Sequence, residues 1–192
     1  MALFRRKSAV ESAMRQTAER ILIHPWRKED GAEWVKLRSH SRQFIEPFEP
    51  SWPPRLTLDD FERRRTRITH ELAMEMNYSF LLRRLSDKVL LGGLSLYHVR
   101  RAALQCATLS YWIGAPYARQ GYMKEGLSLL ETFAFEVLNL HRMEAYCLPN
   151  NYSSLALLRS AGFHDEGIAL KYLRIQGEWQ DHLRFAKINP LT

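Results

Sequence analysis

The sequence predicts one mixed α/β domain with a largely antiparallel sheet and helices on its faces. Short polar breaks separate three strand-like runs in the middle of the chain, and such breaks favour antiparallel hairpins. Apolar residues at helical spacing stand before and after these runs, so helices should flank the sheet. The chain has 192 residues, of which 46% are hydrophobic and 26% charged, enough for one substantial core.

The first part of the chain predicts an arm, a strand and a helix. No core pattern requires residues 1–19, which we expect to form a flexible or helical arm before a single domain of residues 20–192. Residues 20–26 alternate like a strand, and residues 30–44 read as a helix. One side of that helix carries the apolar residues Trp34, Leu37 and Phe44.

A proline-rich loop and a second helix follow. The segment EPFEPSWPP, residues 46–54, has four prolines in nine residues and must form a loop or a set of turns. Thr57 can cap a helix whose first turn is acidic, and this helix should run to about Asn77. Its arginine run, residues 63–67, could meet acidic protein or rRNA, or form a solvated helix face.

The rest of the chain predicts strands with two helices among them. Three strands are expected first, at residues 78–85, 89–99 and 104–113. Next come a helix, a strand and a short helix, at residues 124–140, 143–148 and 153–160, with Gly162 as the stop of the last helix. The final strands, residues 168–175 and 179–186, read as a hairpin across Gln176-Gly-Glu.

Charge and composition limit the classes of function. The net charge of +7 favours anionic partners such as a phosphorylated cofactor, acidic protein or RNA. We find no apolar run of the length of a secretory signal or a membrane span, and we read Cys106 and Cys147 as reduced thiols of a cytoplasmic protein. Neither the cysteines nor the seven histidines show metal-ligand spacing, so no metal site is expected.

The segment ARQGYMKEG, residues 118–126, joins a strand to a helix through a single glycine. A helix start presents unpaired N–H groups and partial positive charge, and Gly121 lacks the Cβ that would hold a phosphate away from them. Arg119 and Lys124 add positive potential. The segment has neither the P-loop pattern nor the three-glycine dinucleotide pattern. It is therefore either a plain turn or an anion site.

A second motif, NNYSSLALLRSAGF at residues 150–163, favours the anion site. Together the two motifs resemble the GNAT acetyltransferases, and more narrowly the RimJ/RimL group of ribosomal-protein N-terminal acetyltransferases. The resemblance covers residues 20–188. It includes four segments: FIEPFEP, SYWIGAPYARQGYMKEG, Asn151-x-x-Ser154 and the ending KYLRIQGEWQDHLRFA.

The resemblance implies a GNAT fold with a splayed central strand pair and acetyl-CoA as co-substrate. The pyrophosphate would lie over the loop at Gly121, and the pantetheine arm along the strand Ser110–Gly114 and at Asn151. Ala118 and Met123 depart from the family's loop consensus, which puts the affinity in doubt but not the binding mode. The implied coenzyme-binding residues are Trp112, Ile113, Arg119, Gln120, Gly121, Tyr122, Met123 and Asn151.

The implied chemistry is direct attack of a neutral amine on the thioester in a ternary complex. A backbone N–H of Trp112 or Ile113 would hydrogen-bond the thioester oxygen. Ser154 would protonate the leaving thiolate, and Asn151 would bind pantetheine. Asn and Ser are also favoured at helix starts, so capping is an alternative role for both.

The general base stays open. Relatives place a glutamate where this chain has Thr108 or Leu173, so we name Glu49 as the catalytic candidate, with Glu46 and His98 as alternatives.

An α-amino group, with a pKa near 7.7–8.0, needs less help from a base than a lysine near 10.4. The preferred acceptor is therefore the N-terminus of a protein, plausibly ribosomal. The alternatives are a small amine, such as a polyamine or aminoglycoside, and a non-catalytic acetyl-CoA- or RNA-binding module. Contact with rRNA and formation of an oligomer are left open, and no membrane partner is expected.

Overall fold

The computed structural model describes residue 10 and residues 12–192. In this part of the chain the sheet has eight strands: β1 (Gln16–Thr17), β2 (Ile21–Pro25), β3 (Tyr78–Arg84), β4 (Leu90–Arg100), β5 (Cys106–Ile113), β6 (Arg142–Cys147), β7 (His164–Ile175) and β8 (Glu178–Ile188). The α-helices are α1 (Gly31–His40), α2 (Arg42–Ile45), α3 (Leu58–Ala73), α4 (Tyr122–Thr132) and α5 (Tyr152–Ser160). Short 3₁₀ turns lie at Lys28–Asp30, Glu46–Phe48 and Ala115–Tyr117.

The strand order is β1-β2-β3-β4-β5-β6-β8-β7, and every neighbouring pair is antiparallel except β5 and β6. The predicted mixed, largely antiparallel sheet is confirmed. Pairing of β5 with β6 stops at Leu109 and Ala145, although β5 continues to Ile113 and β6 to Cys147. The two strands therefore separate at one end of the sheet, which is the predicted splay.

Two apolar clusters hold helices on opposite faces of the sheet. The larger one joins α4 and α5 to the sheet through residues such as Leu109, Leu127, Leu130, Leu158 and Phe185, all of them buried. The smaller one holds α1 and α3 on the other face through Trp34, Leu37, Phe61, Leu81 and Leu90. Each fully buried side chain of this kind contributes about 1.5–3 kcal/mol of transfer free energy.

The helix predicted for residues 30–44 is interrupted. It ends at His40, and a separate turn, α2, follows Ser41. The Ser41 hydroxyl accepts the N–H of Ala115 at 2.9 Å, which ties this break to the end of β5. Phe44 was expected on the buried side with Trp34, and this prediction is wrong because the break turns Phe44 outward, leaving it 39% exposed.

Helix α3 begins as predicted, with the Thr57 hydroxyl accepting the N–H of Asp60. It ends at Ala73, short of the expected Asn77, because the chain turns into β3 through Glu75, whose φ is positive. The arginine run is partly neutralised on its own helix by the ion pairs Arg63–Asp60, Arg65–Glu62 and Arg67–Glu71.

The end of the predicted arm is packed rather than free. Val10 and Met14 are buried in the larger cluster, and β1 pairs with β2. The statement that the core requires none of these residues is wrong for Val10 and Met14, whose apolar side chains fill the space beside β2. Residues 1–9 and 11 lie outside the described residues, and the boundary at residue 19 remains a prediction.

The helix predicted for residues 124–140 also changes form. Helix α4 ends at Thr132 and continues as a wider turn over Phe133–Val137.

Across residue 10 and residues 12–192, we find no helix with both the length and the apolar character that a membrane crossing requires.

Candidate functional site

A cleft of about 850 Å³ opens where β5 and β6 separate. Its walls come from both strands, the starts of α4 and α5, the proline-rich loop and the end of the β7–β8 hairpin. All of the residues predicted for coenzyme binding and catalysis line it: Glu49, Trp112, Ile113, Arg119, Gln120, Gly121, Tyr122, Met123, Asn151 and Ser154. The splay therefore joins sequence-distant residues in one cavity.

The loop before α4 presents a row of free N–H groups. In the described part of the chain, nothing accepts a hydrogen bond from the N–H groups of residues 119–124. Gly121 is left-handed, with φ of 82°, and Arg119 also has positive φ. This backbone aims the N–H groups and the positive end of the α4 dipole into the cleft. The loop can hold an anion without a side chain.

Arg20 lies against this loop, paired with Glu125, and its position was not identified from the sequence. A Cβ placed on Gly121 would lie 2.9 Å from Nη2 of Arg20. The Arg20 Nε donates to Glu125 Oε1 at 2.5 Å, and its guanidinium lies 4.8 Å from the centre of the Tyr122 ring. Because Arg20 precedes β2, about 100 residues from the loop, no local sequence pattern could reveal the contact.

Asn151 caps α5, with its Oδ1 accepting the N–H of Ser154 at 3.2 Å. The capping role weighed from the sequence is confirmed for Asn151. Its Nδ2 group has no partner in the described residues, so capping leaves both N–H donors of the side-chain amide free for a ligand.

Ser154 is held inside the cleft by Tyr111. The two hydroxyl oxygens are 2.5 Å apart. Burial raises the pKa of Tyr111, so its phenol keeps its proton at neutral pH. The phenol can donate to the Ser154 oxygen and leave the serine proton for a third atom.

Glu49 is held by a buried arginine. Its Oε1 accepts from Nη2 of Arg38 at 2.8 Å. The Arg38 guanidinium lies 4.8–5.3 Å from three tryptophan rings, those of Trp34, Trp52 and Trp112. Burial lowers the pKa of Arg38, and the Glu49 carboxylate opposes that shift. Trp52 of the proline-rich loop thus packs on this arginine.

The turn of the β7–β8 hairpin fixes the proline-rich loop. The Gln176 side chain donates to the carbonyl oxygens of Glu46 and Glu49 at 3.1 and 3.0 Å, and its N–H donates to that of Pro50 at 3.1 Å. The Glu46 carboxylate is taken by Arg42 and does not line the cleft. The structure therefore does not bring Glu46, one of the alternative bases, into the site, whereas His98 does line it.

His182 on β8 lines the cleft and was missed by the sequence reasoning. It is only 3% exposed, and its Nδ1 lies 3.0 Å from the Gln180 carbonyl oxygen. Burial lowers its pKa below the ordinary value, against that hydrogen bond. The alternation of β8 placed every second residue on one face, which could have revealed His182.

Two tyrosines form the wall beside His182. The Tyr172 ring meets the imidazole edge-on at 5.8 Å and stacks on Tyr146 at 4.1 Å. Burial, and then Tyr146, raise the pKa of Tyr172 to about 12. Within the described ranges, His, Cys, Asp and Glu side chains nowhere gather into a group that could hold a metal ion.

The chain resembles known proteins over most of its length. The model for the acetyltransferase (GNAT) domain matches residues 20–164. The probable N-acetyltransferase YjcK of Bacillus subtilis is 37% identical over 176 residues, 88% of this chain and 94% of the relative. The [ribosomal protein uS5]-alanine N-acetyltransferase of Escherichia coli is 26% identical over 188 residues, 92% of each chain.

A solved structure agrees in fold. Mycobacterium smegmatis RimJ in complex with CoA-disulfide superposes with a TM-score of 0.83 at 28% identity, over 88% of this chain and 81% of that one. The family match and the relative at 37% identity both span most of the sequence. The chain therefore belongs to the GNAT acetyltransferase family and is an N-acetyltransferase.

Proposed function

We propose that this chain transfers the acetyl group of acetyl-CoA to the N-terminal α-amino group of a ribosomal protein, by direct attack in a ternary complex. The observation that carries the proposal is the single cleft through the splayed strands. It leads from the free N–H groups of residues 119–124 to the carboxylate of Glu49. One end suits a diphosphate and the other suits an ammonium group.

On the donor side, the diphosphate lies on the N–H groups before α4, with Arg119 and Lys124, which both line the cleft, supplying positive charge. The pantetheine arm follows β5 beyond its last pairing with β6. Gly114 donates its N–H to Leu91 of β4 at 2.8 Å, and successive N–H groups of a strand alternate between its two edges. The N–H of Ile113 therefore faces the gap, and we assign it, rather than that of Trp112, to the thioester oxygen.

The reaction depends more on how amine and thioester are positioned than on a strongly acidic or basic side chain. Holding amine and thioester together supplies much of the rate, and the Ile113 N–H stabilises the developing oxyanion. Ser154, oriented by Tyr111, donates its proton toward the departing thiolate. Asn151 binds the pantetheine amide through its free Nδ2. Glu49 attracts the acceptor ammonium through the oxygen that Arg38 does not engage.

The acceptor wall favours a single positive charge. Among the described residues that line the cleft, Glu49 is the only carboxylate, and its neighbours Phe44, Pro47, Phe48 and Leu173 are apolar or weakly polar. One ammonium group on a peptide matches one carboxylate, whereas a polyamine or aminoglycoside carries several. The relative from Escherichia coli is named for acting on an alanine of ribosomal protein uS5, which supports a ribosomal acceptor in the cytoplasm.

Labelled acetyl-CoA tests the proposal directly. The protein is incubated with peptides that have a free N-terminus, with the same peptides blocked at the N-terminus but carrying an internal lysine, and with polyamines. We expect label on the free N-termini and little on the other two pools. Preferred labelling of polyamines or lysines would overturn the assignment of the acceptor, and no labelling of any amine would overturn the enzyme mechanism.

A further inference from the structure

His182 lies on the side of the sheet opposite to α4 and α5. Leu183 and Phe185, its odd-numbered neighbours on β8, pack toward the larger apolar cluster, whereas Arg184 reaches Glu144 on the other face. His182 shares the face of Arg184. It comes directly before the Leu183–Cys147 pair, level with the end of β6, where the strands have separated. The imidazole therefore lies beside the gap between β5 and β6, on the face of the sheet that holds α1 and its Arg38.

The proton arrangement of His182 follows from its one hydrogen bond. A carbonyl oxygen can only accept, so Nδ1 carries the proton that it shares with the Gln180 carbonyl. In the neutral ring the other nitrogen, Nε2, then holds a lone pair. Nε2 has no partner in the described part of the chain, yet it is not among the fully enclosed polar atoms. The lone pair is free in a residue that lines the cleft.

We propose that His182 is the general base of the acetyl transfer, with Nε2 accepting the proton that the acceptor nitrogen loses. The inference rests on the proposed function. The nitrogen lone pair forms the C–N bond, and the carbonyl π pair moves to oxygen. The nitrogen gives its proton to Nε2, and collapse of the intermediate breaks the C–S bond. The departing thiolate takes the Ser154 proton, Ser154 regains a proton from solvent, and protonated His182 releases its proton to solvent.

Glu49 is less suited to this step, because Arg38 engages one of its oxygens at 2.8 Å and holds positive charge beside the carboxylate. That arrangement favours binding an ammonium over taking up a proton. Around His182 the titratable groups are Tyr146 and Tyr172 on the neighbouring strands, Asp181 on its own strand, and Glu49 and His98 elsewhere in the cleft. Burial lowers the pKa of His182 and keeps the ring neutral at neutral pH.

The test is the pH dependence of kcat/KM for an acceptor peptide, between about pH 5 and 9. Two protons must be absent for reaction, one from His182 and one from an amine with a pKa near 7.7–8.0. The logarithm of kcat/KM should rise with a slope of about two below the pKa of His182, and about one between the two pKa values. His182→Asn keeps an N–H for the Gln180 carbonyl but removes Nε2. It should lower kcat/KM about 10²–10⁴-fold and leave a slope of about one at every pH below the pKa of the amine.

The matched control is His164→Asn, the same change at an exposed histidine of β7 outside the cleft, which should behave as wild type. Stabilisation by acetyl-CoA should be the same in all three proteins. A wild-type slope of one down to the lowest pH at which the protein stays folded would overturn the inference, even if His182→Asn failed to fold. The inference would also be overturned if folded His182→Asn kept kcat/KM within about threefold of the wild type and showed the same two slopes. If Glu49→Gln lost the slope of two at low pH and His182→Asn kept it, the base would be Glu49. A wild type inactive on every amine would overturn the proposed function as well.

Discussion

The glycine before α4 allows the anion-binding role of the loop to be separated from its contribution to stability. In Gly121→Ala, the φ of 82° would hold an alanine in the left-handed region, which costs roughly 1–2 kcal/mol. The added Cβ would also stand 2.9 Å from the Arg20 guanidinium, so Arg20 must move. We expect the free energy of unfolding to fall by about 1–2 kcal/mol, or Tm by about 2–8 °C for a chain of this size.

The loss of ligand binding should exceed this loss of stability. The Cβ stands where a phosphate oxygen would approach the N–H groups, and one charge-assisted hydrogen bond contributes about 1.5–3 kcal/mol. A hundredfold excess of acetyl-CoA over Kd stabilises the wild type by about 2.7 kcal/mol. At the same concentration, most of that stabilisation should be absent from Gly121→Ala. Thermal unfolding with and without acetyl-CoA measures both effects.

Gly167→Ala is the matched control, because Gly167 also has positive φ, of 96°, but a Cβ added there would meet nothing within 4 Å. It should lose stability through backbone strain alone and keep the full response to acetyl-CoA. If Gly121→Ala bound acetyl-CoA as tightly as the wild type, the diphosphate could not lie on these N–H groups, and the reasoning would be refuted.

Three further changes test other parts of the cleft. Arg38→Met removes the partner that positions the Glu49 carboxylate, so we expect a higher KM for the acceptor and an unchanged response to acetyl-CoA in steady-state kinetics and thermal unfolding. The lost charged hydrogen bond should lower the stability by about 1.5–3 kcal/mol in denaturant unfolding. An unchanged KM would remove Glu49 from the acceptor wall. Asn151→Ala should weaken acetyl-CoA binding more than Ser154→Ala does, and Ser154→Ala should mainly lower kcat; the reverse order in binding and kinetic assays would exchange their roles. Burial raises the pKa of Cys147, so the native thiol should resist iodoacetamide at neutral pH and react more readily as pH rises, whereas rapid labelling at pH 7 would contradict the buried position.

Local patterns predicted the elements that depend on local chemistry. The glycine at the start of α4, the Asn151 cap and the period-two strands are all readable over a few residues, and the structure places them as expected. The loop at Gly121 and the segment around Asn151 were interpreted as one coenzyme site only through the resemblance to a family. Taken alone, the first could be a plain turn and the second a helix cap. The fold class followed from the same local signals taken in order.

Contacts between distant segments could not be predicted in this way. Arg20 reaches the loop at Gly121, and Arg38 reaches Glu49, only after the sheet has formed. Phe44 was misplaced because helical periodicity does not register a break at Ser41, which a hydrogen bond from a distant residue, Ala115, supports. The alternation of β8 indicates which face His182 lies on, and its bond to the Gln180 carbonyl is local, but its burial in the cleft is a tertiary feature.

The bonds that Gln176 makes to the proline-rich loop link segments 127 and 130 positions apart in the chain. Ribosomal synthesis therefore delivers the loop long before the hairpin turn that fastens it. Until residue 176 has been made, the loop lacks all three of these hydrogen bonds. A chain that stops before the hairpin should therefore leave the proposed acceptor wall unfixed.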